Sequence, residues 1–501
     1  MKIFFNKNNG MATIAFCLSF AICSFGQTTT PCEIVNNSNF FADSEIYIAM
    51  LGQTNAQGPV WIDFKANAEN APAIGKIESS VNTLHKPNST AGYANVFTKL
   101  SEIKEKKIHI PSIFGCRMFF SFKSPMYIRF DNNGGYAGAD LQNPNDPNAG
   151  IRWEIIELTW GDNGFWANTT RVDAYQFAMG LELFGKPGGT NIYSKTGEIL
   201  PHSEIIKRFK NTFTSGDFQP CYRADIFTDD SLGSIIEQPS KLKEFKDNGA
   251  SQYYFQKYID GIWNYFQNND LIVNLSGGNQ YKGRVDGGAF KVTGPGGVQA
   301  WISSKPNTQE AIEAKGVLAE NVAATPDNGA DLAFQAQFCA ALNRGVIKLT
   351  SEPQRWNDST QFFKSDTYNK YVWFFHQPDL SYNSKCYAFA FDDVYDQSAT
   401  LVTLNPEKVR ITIGGFAGKV GIKAPLPYRQ LPNYDLLTNA TKNKRDITLY
   451  SVLGKKLAVI KSGVHMRDDL LSKRSALHTG LYIMSMENQD TRLQSKQILV
   501  K

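Results

Sequence analysis

Histidine is scarce in this chain, and its six copies, His85, His109, His202, His376, His465 and His478, never fall at the spacing of zinc ligands. No G-x-S-x-G elbow occurs and no cysteine sits in a protease signature, so the common nucleophilic hydrolases are not indicated. The glycine clusters at Gly188–Gly189, Gly277–Gly278 and Gly294–Gly297 lack a following Lys-Ser/Thr or an acidic partner after a strand. They do not make a nucleotide cradle, and no cofactor is expected. Cysteine is also sparse: Cys32, Cys116, Cys221, Cys339 and Cys386 remain beyond the N-terminal stretch, odd in number and widely spaced. That excludes a disulfide framework, leaves one or two bridges open and keeps at least one thiol unpaired within the chain.

One long apolar run is present, Met11 to Phe25, preceded by Lys2 and Lys7 and followed by small residues. Residues 1–27 therefore read as a secretory signal, and no later segment approaches the 18 unbroken apolar residues of a membrane span. The net charge of +5 is uneven: the signal holds two lysines and residues 441–501 carry twelve basic against five acidic groups. The body between them is slightly acidic, which argues against a nucleic-acid partner. With 42% hydrophobic and 13% aromatic residues, the chain has ample material for a buried core.

Along the body, residues 28–40 read as polar and flexible. EIYIAMLGQ, PVWIDF, IHIPS, RMFFSF and PMYIRF then alternate as strands. Asp131 to Gly150 is a loop by composition, expected on the side of the binding groove. Its Asp140 and Asp146 lack the spacing of a calcium hand and suit turn capping better. After Glu182, SEIIKRFKNTF, YFQKYIDGIWNYFQ and LAFQAQFCAALNRGV show helical three-and-four spacing, with short strands and glycine turns between them. Trp263, Tyr265, Trp301, Trp356 and Trp373 are candidates to line a cleft there, although such rings more commonly fill a core. Residues 421–445 read as a linker, and the remainder, 446–501, as short alternating strands of a small β-sandwich.

The stretch from Trp153 to Phe177 carries the chemistry. Trp153, Ile155, Glu157 and Thr159 share one face of a strand, Gly161 to Gly164 forms a turn, and Thr169, Arg171, Asp173 and Tyr175 share a face on the return. If Glu157 pairs with Arg171, Asp173 becomes its diagonal neighbour with Cβ atoms roughly 7–8 Å apart. Carboxyl groups about 6.5–9.5 Å apart suit a glycosidase that inverts configuration, because they leave room for a water between one carboxylate and the sugar. Apolar Trp153 and Ile155 on its face disfavour the charged form of Glu157, and Arg171 on the face of Asp173 favours an ionised Asp173.

WEIIELTW followed by ANTTRVDAYQFAMGLEL, with NPNDPN at Asn143–Asn148, resembles glycoside hydrolase family 64. Phe41–Phe64, GCRMFFSF at Gly115–Phe122 and FCAALNRGV at Phe338–Val346 extend the likeness over roughly residues 40 to 418. The resemblance implies an inverting endo-β-1,3-glucanase with a thaumatin-like β-domain, acting on laminarin, curdlan or fungal-wall glucan. It places the acid on Glu157, the base on Asp173 and sugar contacts on Thr159, Trp166 and Thr170, while Gly161 stands where the family tends to have asparagine. LYSVLGKKL, HTGLYIM and KQILVK similarly resemble the C-terminal sorting domain of the type IX secretion system, which implies passage through the periplasm to the exterior or cell surface.

The expected fold is mainly β with an α/β subdomain: a thaumatin-like β-sandwich or barrel, a mixed α/β domain completing a groove, and the small C-terminal β-sandwich. The glucanase domain would span 28–420, with the β-sandwich at 40–181 and parts of 270–420 and the α/β subdomain at about 182–345. A monomer without metal is expected. A non-catalytic β-glucan-binding protein on the same scaffold is the main alternative, and a surface adhesin a weaker one.

Overall fold

The structure, a computed structural model, describes residues 29–417 apart from 67–71, 186–191, 228–231, 276–277 and 327–328, together with four strands between 447 and 500. The signal-like segment 1–27 and the 421–445 linker lie outside them. The chain divides into two compact units, Met1–Ala424 and Pro425–Lys501.

In the first unit two large sheets face one another across a single core. One runs Leu401–Thr403, Gly164–Thr169, Trp153–Gly161, Ile113–Phe122, Ile46–Thr54, Gly58–Asp63 and Ala73–Lys76, with Thr98–Lys99 paired on the Ile46 strand. The other runs Ile192–Gly197, Met179–Gly185, Pro406–Ile413, Thr29–Asn36 and Lys107–Pro111. Alternation explains the pairing: Ile156, Leu158 and Trp160 from the first sheet share a buried cluster with Leu181, Leu183, Ile411 and Ile413 from the second. Each such side chain withdrawn from water contributes about 1.5–3 kcal/mol.

Residues 29–36 overturn the expectation of a flexible start. Thr29–Asn36 is an inner strand, parallel to Pro406–Ile413 and antiparallel to Lys107–Pro111. Its composition, TTPCEIVN, hides a period of two in which Thr30, Cys32 and Ile34 point inward and are buried. PMYIRF also departs from expectation: only Arg129–Phe130 pairs as a strand, while Met126 and Ile128 are buried beneath the outer face of the large sheet.

Among the described residues, one end of that outer face lies under an apolar cover. Trp153 and Ile155 join Leu51, Phe119, Ile128 and Phe130 in a third apolar cluster. Further along the same face the cover stops, and Glu157 and Thr159 are half-buried instead. One strand thus passes from core to cleft without changing its alternation.

A second large core collects the helices His202–Thr212, Gln256–Phe266, Thr308–Glu313, Ala330–Arg344 and Lys370–Phe375 around a four-stranded antiparallel sheet, Leu271–Asn274, Gln280–Asp286, Ala289–Thr293 and Gln299–Ile302. Ile205, Phe209, Ile259, Ile262 and Phe338 are the buried positions that the three-and-four spacing marks. Trp263 and Trp356 are buried in this core, and Tyr265 and Trp373 pack against it. Trp301 is half-buried beneath the Lys291 ammonium. No helix among the described residues is long and apolar enough to cross a membrane, and Cys32, Cys116, Cys221, Cys339 and Cys386 are free and buried.

In the second unit the described strands, Ile447–Ser451, Lys456–Ile460, Gly480–Met486 and Gln494–Val500, form one four-stranded antiparallel sheet. A small β-sandwich was the sequence-based expectation; a single sheet is what the described residues make.

Candidate active site

The hairpin is built by a two-residue turn. Asp162 and Asn163 link Gly161 to Gly164, which fixes the register at Thr159 opposite Trp166 and Glu157 opposite Asn168. The pairing of Glu157 with Arg171 considered from sequence is therefore not made. The return strand ends at Thr169, so Arg171, Asp173 and Tyr175 do not continue the face of Thr169.

Beyond Thr169 the chain is held by other partners. Thr170 is buried and bridges in parallel to Tyr387, and the Arg171 N–H donates to the Tyr387 carbonyl at 2.7 Å. The Arg171 guanidinium is fully buried between Glu154 at 2.6 Å and Glu198 at 2.7 Å. Arg171 thus serves these two acids and not Asp173, correcting the sequence-based reading. The Arg171 carbonyl also accepts from the Tyr371 hydroxyl at 2.7 Å. Ala174–Tyr175 then pairs with Ile235–Glu237.

This detour still leaves Asp173 within electrostatic reach of Glu157, and both acids feel the Arg117 charge. The Gln238 N–H donates to the Asp173 carbonyl at 3.2 Å, and the following turn delivers the Lys241 ammonium to the Asp173 carboxylate at 2.6 Å. On the other side Arg117, cross-strand from Glu157, sets its Nε 3.3 Å from the Glu157 carboxylate. The Glu157 side chain keeps 27% of its surface exposed and the Asp173 side chain 24%, so both are open to a ligand.

The electrostatics separate the two acids. Burial pushes the Glu157 carboxyl above its usual range, Arg117 partly offsets that, and the Asp173 charge adds to the rise. Burial also pushes Asp173 up, but the charges of Lys241 and Arg117 outweigh it and hold the carboxyl below its usual range. A proton therefore resides more readily on Glu157 than on Asp173.

The remaining expected contacts fall as follows. The Thr159 hydroxyl is half-buried beside the acid and accepts from the Gly115 N–H at 3.1 Å. Trp166 stands on the same face with 43% of its surface exposed, its indole N–H donating to the Asn163 carbonyl at 3.2 Å. Thr170 is buried, and its hydroxyl accepts from the Val172 N–H at 3.4 Å. Gly161 is explained locally, because a Cβ there would come within 2.7 Å of the Phe114 ring.

Several residues reach the site that sequence reasoning did not single out. Arg117 and Lys241 supply the positive charge. Asn168 hydrogen-bonds the Glu157 carboxylate from the neighbouring strand. The Tyr136 and Tyr387 phenols are raised above their ordinary range, first by burial and in part by the Glu157 charge. Position within GCRMFFSF, opposite the acid strand, was the only available signal for Arg117. Lys241, Tyr136 and Tyr387 come from segments whose approach depends on the tertiary fold, and Asn168 follows from the hairpin register.

The 131–150 loop supplies Tyr136, and its acids cap turns: Asp131 accepts from the Asn133 and Gly135 N–H groups, Asp140 from Gln142 and Asp146 from Asn148. Among the described residues no group of three or more His, Cys, Asp or Glu side chains is arranged to hold a metal ion.

Residues 28–413 match the Glyco_hydro_64 family, described as Beta-1,3-glucanase. A β-1,3-glucanase domain (GH64) from Clostridium beijerinckii superposes with a TM-score of 0.67 at 30% identity, covering 78% of this chain and 99% of that one. A laminaripentaose-producing β-1,3-glucanase from Paenibacillus barengoltzii, complexed with laminarihexaose, shares the fold at a TM-score of 0.56 and 24% identity, over 77% and 75% of the two chains. The Glucan endo-1,3-beta-glucosidase of Cellulosimicrobium cellulans is 25% identical over 325 residues, or 62% of this chain and 54% of the relative. The chain thus spans about half the length of the curated relatives it matches. With the match running from the first inner strand to the last, this chain belongs to glycoside hydrolase family 64, the β-1,3-glucanases.

Proposed function

We propose that this chain is an endo-β-1,3-glucanase that hydrolyses linear β-1,3-glucan by single displacement with inversion. The observation that carries the reading is the unequal pair of partly exposed, electrostatically coupled acids: Glu157 poised to hold a proton, Asp173 held ionised by Lys241 and Arg117. In the reaction Glu157 donates its proton to the glycosidic oxygen as the C1–O bond breaks. Asp173 takes a proton from the water whose oxygen bonds C1 from the opposite face of the ring. Glu157 ends as carboxylate and Asp173 as acid, and exchange with solvent resets both. Thr159 and Trp166 line the same face, where a hydroxyl and an indole suit the edge and the C–H face of a pyranose.

Incubation with linear β-1,3-glucan in heavy-oxygen water tests this. Short oligosaccharides should appear with the label at the new anomeric carbon and the α configuration at first release. Glu157→Gln should remove turnover while leaving binding. A wild-type chain that binds the glucan and releases no reducing ends would instead be a non-catalytic glucan-binding protein.

The finer parts of the reading extend to substrate, scaffold and address. Laminarin, curdlan and fungal-wall glucan are the proposed substrates of a monomer, and the two-sheet body is read as thaumatin-like. The strand pattern after residue 446 supports a sorting module for type IX export, with delivery outside the cell. Detection of a mature chain lacking both the N-terminal signal and the C-terminal strands in the medium or on the cell surface would test that address.

A further inference from the structure

Few large hydrophobic side chains are exposed among the described residues, yet Trp166, Val402 and Leu404 meet at one place. Trp166 is opposite Thr159 on one side and Val402 on the other, and directly opposed residues of an antiparallel ladder project to the same face. Leu404 closes over the next row: a Cβ on Gly164 would lie 3.3 Å from its Cδ2 atom. On the neighbouring strand the Phe114 ring lies over Gly161 in the same way. The outer face therefore continues from the acids as an apolar floor of Phe114, Trp166, Leu404 and Val402, ending at the three-residue edge strand Leu401–Thr403.

Sheet edges are ordinarily guarded by charge. Here Val402 is 39% and Leu404 63% exposed, and a contiguous apolar surface beside a cleft marks a binding surface. The continuity with Thr159 and Trp166 names the occupant, because a glucan strand crossing the acids runs onto this floor next. Its pyranose rings present C–H faces that apolar side chains receive without specifying hydroxyl contacts.

We propose that Val402 and Leu404, together with Trp166 and Phe114, form a landing strip on which the part of a linear β-1,3-glucan chain lying beyond the acid pair rests. The proposal rests on the glucanase reading of the cleft. It assigns to the edge strand a role in holding long or insoluble chains.

The test uses the full chain with Val402→Ser and Leu404→Ser combined, both exposed positions. In a Glu157→Gln background, the double substitution should weaken binding to insoluble linear β-1,3-glucan by about five- to tenfold, since it removes apolar area from the contact. With Glu157 intact, KM for the long glucan should rise by a similar factor while kcat changes by less than about twofold, the pattern of lost uniform binding. Val402→Tyr, which adds a ring on the same face, should tighten binding. Unchanged binding and KM in the double variant, while the wild type still cuts the glucan, overturns the strip alone. A wild type that does not cut the glucan overturns the reading beneath it as well. A double variant that abolishes a dimer of this chain but binds glucan as before identifies the strip as a self-interface and overturns the proposal.

Discussion

Arg117 faces two carboxyl groups at once and therefore couples their titrations. Its Nε lies 3.3 Å from Glu157, and its charge also steadies Asp173. A cation beside a carboxyl favours the ionised form, so removing it raises both pKa values. On the proposed mechanism, turnover needs Asp173 ionised and Glu157 protonated. In Arg117→Gln the acidic limb of kcat/KM against pH should therefore move to higher pH with Asp173, and the alkaline limb should move to higher pH with Glu157. The whole bell should shift upward by about one unit, a size typical of losing a close opposite charge. Lys241 bears directly on Asp173, whereas the leading influences on Glu157 are burial, Arg117 and Asp173. Lys241→Met should accordingly move only the acidic limb and narrow the bell. Profiles measured on a soluble β-1,3-glucan decide the matter, and two variants with superimposable limbs would refute the division of labour.

Elements, and not side chains alone, hold Asp173 in place, and the buried junction of Arg171 with Glu154 and Glu198 is the pin. Glu154 also accepts from the Gln176 and Phe177 N–H groups, and Glu198 from the Met179 N–H, so the junction ties the acid strand to the chain leaving the hairpin. Breaking it strands two carboxylates in the interior: Arg171→Met should cost about 3–5 kcal/mol, read as a lowered denaturation midpoint together with lost activity. Glu157→Gln breaks a partly exposed pair and should cost less than about 1 kcal/mol while abolishing turnover. A comparable loss of stability in both variants would remove the distinction between pin and catalyst. This junction also shows where sequence reading stops. The hairpin, its turn and the cleft-facing position of Glu157 follow from a period of two. The register does not, because it depends on whether the turn closes at Gly161 and Gly164 or further out. The Thr29–Asn36 strand was missed because its inward face is threonine, cysteine and isoleucine, and its partners are Pro406–Ile413 and Lys107–Pro111, distant in sequence. Arg117, Lys241, Tyr136 and Tyr387 reach the acids by routes that only the packed sheets and loops define.

At the scale of the whole molecule, every group assigned to the reaction or to the apolar strip lies before Ala424, where the first compact unit ends. The four strands of the second unit complete a ladder among themselves, from Lys456–Ile460 through to Gln494–Val500. A unit with its own core and its own complete site folds and acts without a neighbour. A chain ending at Ala424 should therefore retain kcat/KM on soluble β-1,3-glucan within about a factor of two of the full chain, because the acids and the cations paired with them, Arg117 and Lys241, all belong to the first unit. The same truncation should leave the pH limits of activity unmoved, since Arg117, Lys241, Glu157 and Asp173 all remain. A tenfold loss, or a displaced bell, would mean that residues beyond 424 shape the site. Retained activity combined with failure to reach the cell exterior in the native host would assign the C-terminal strands to transport alone.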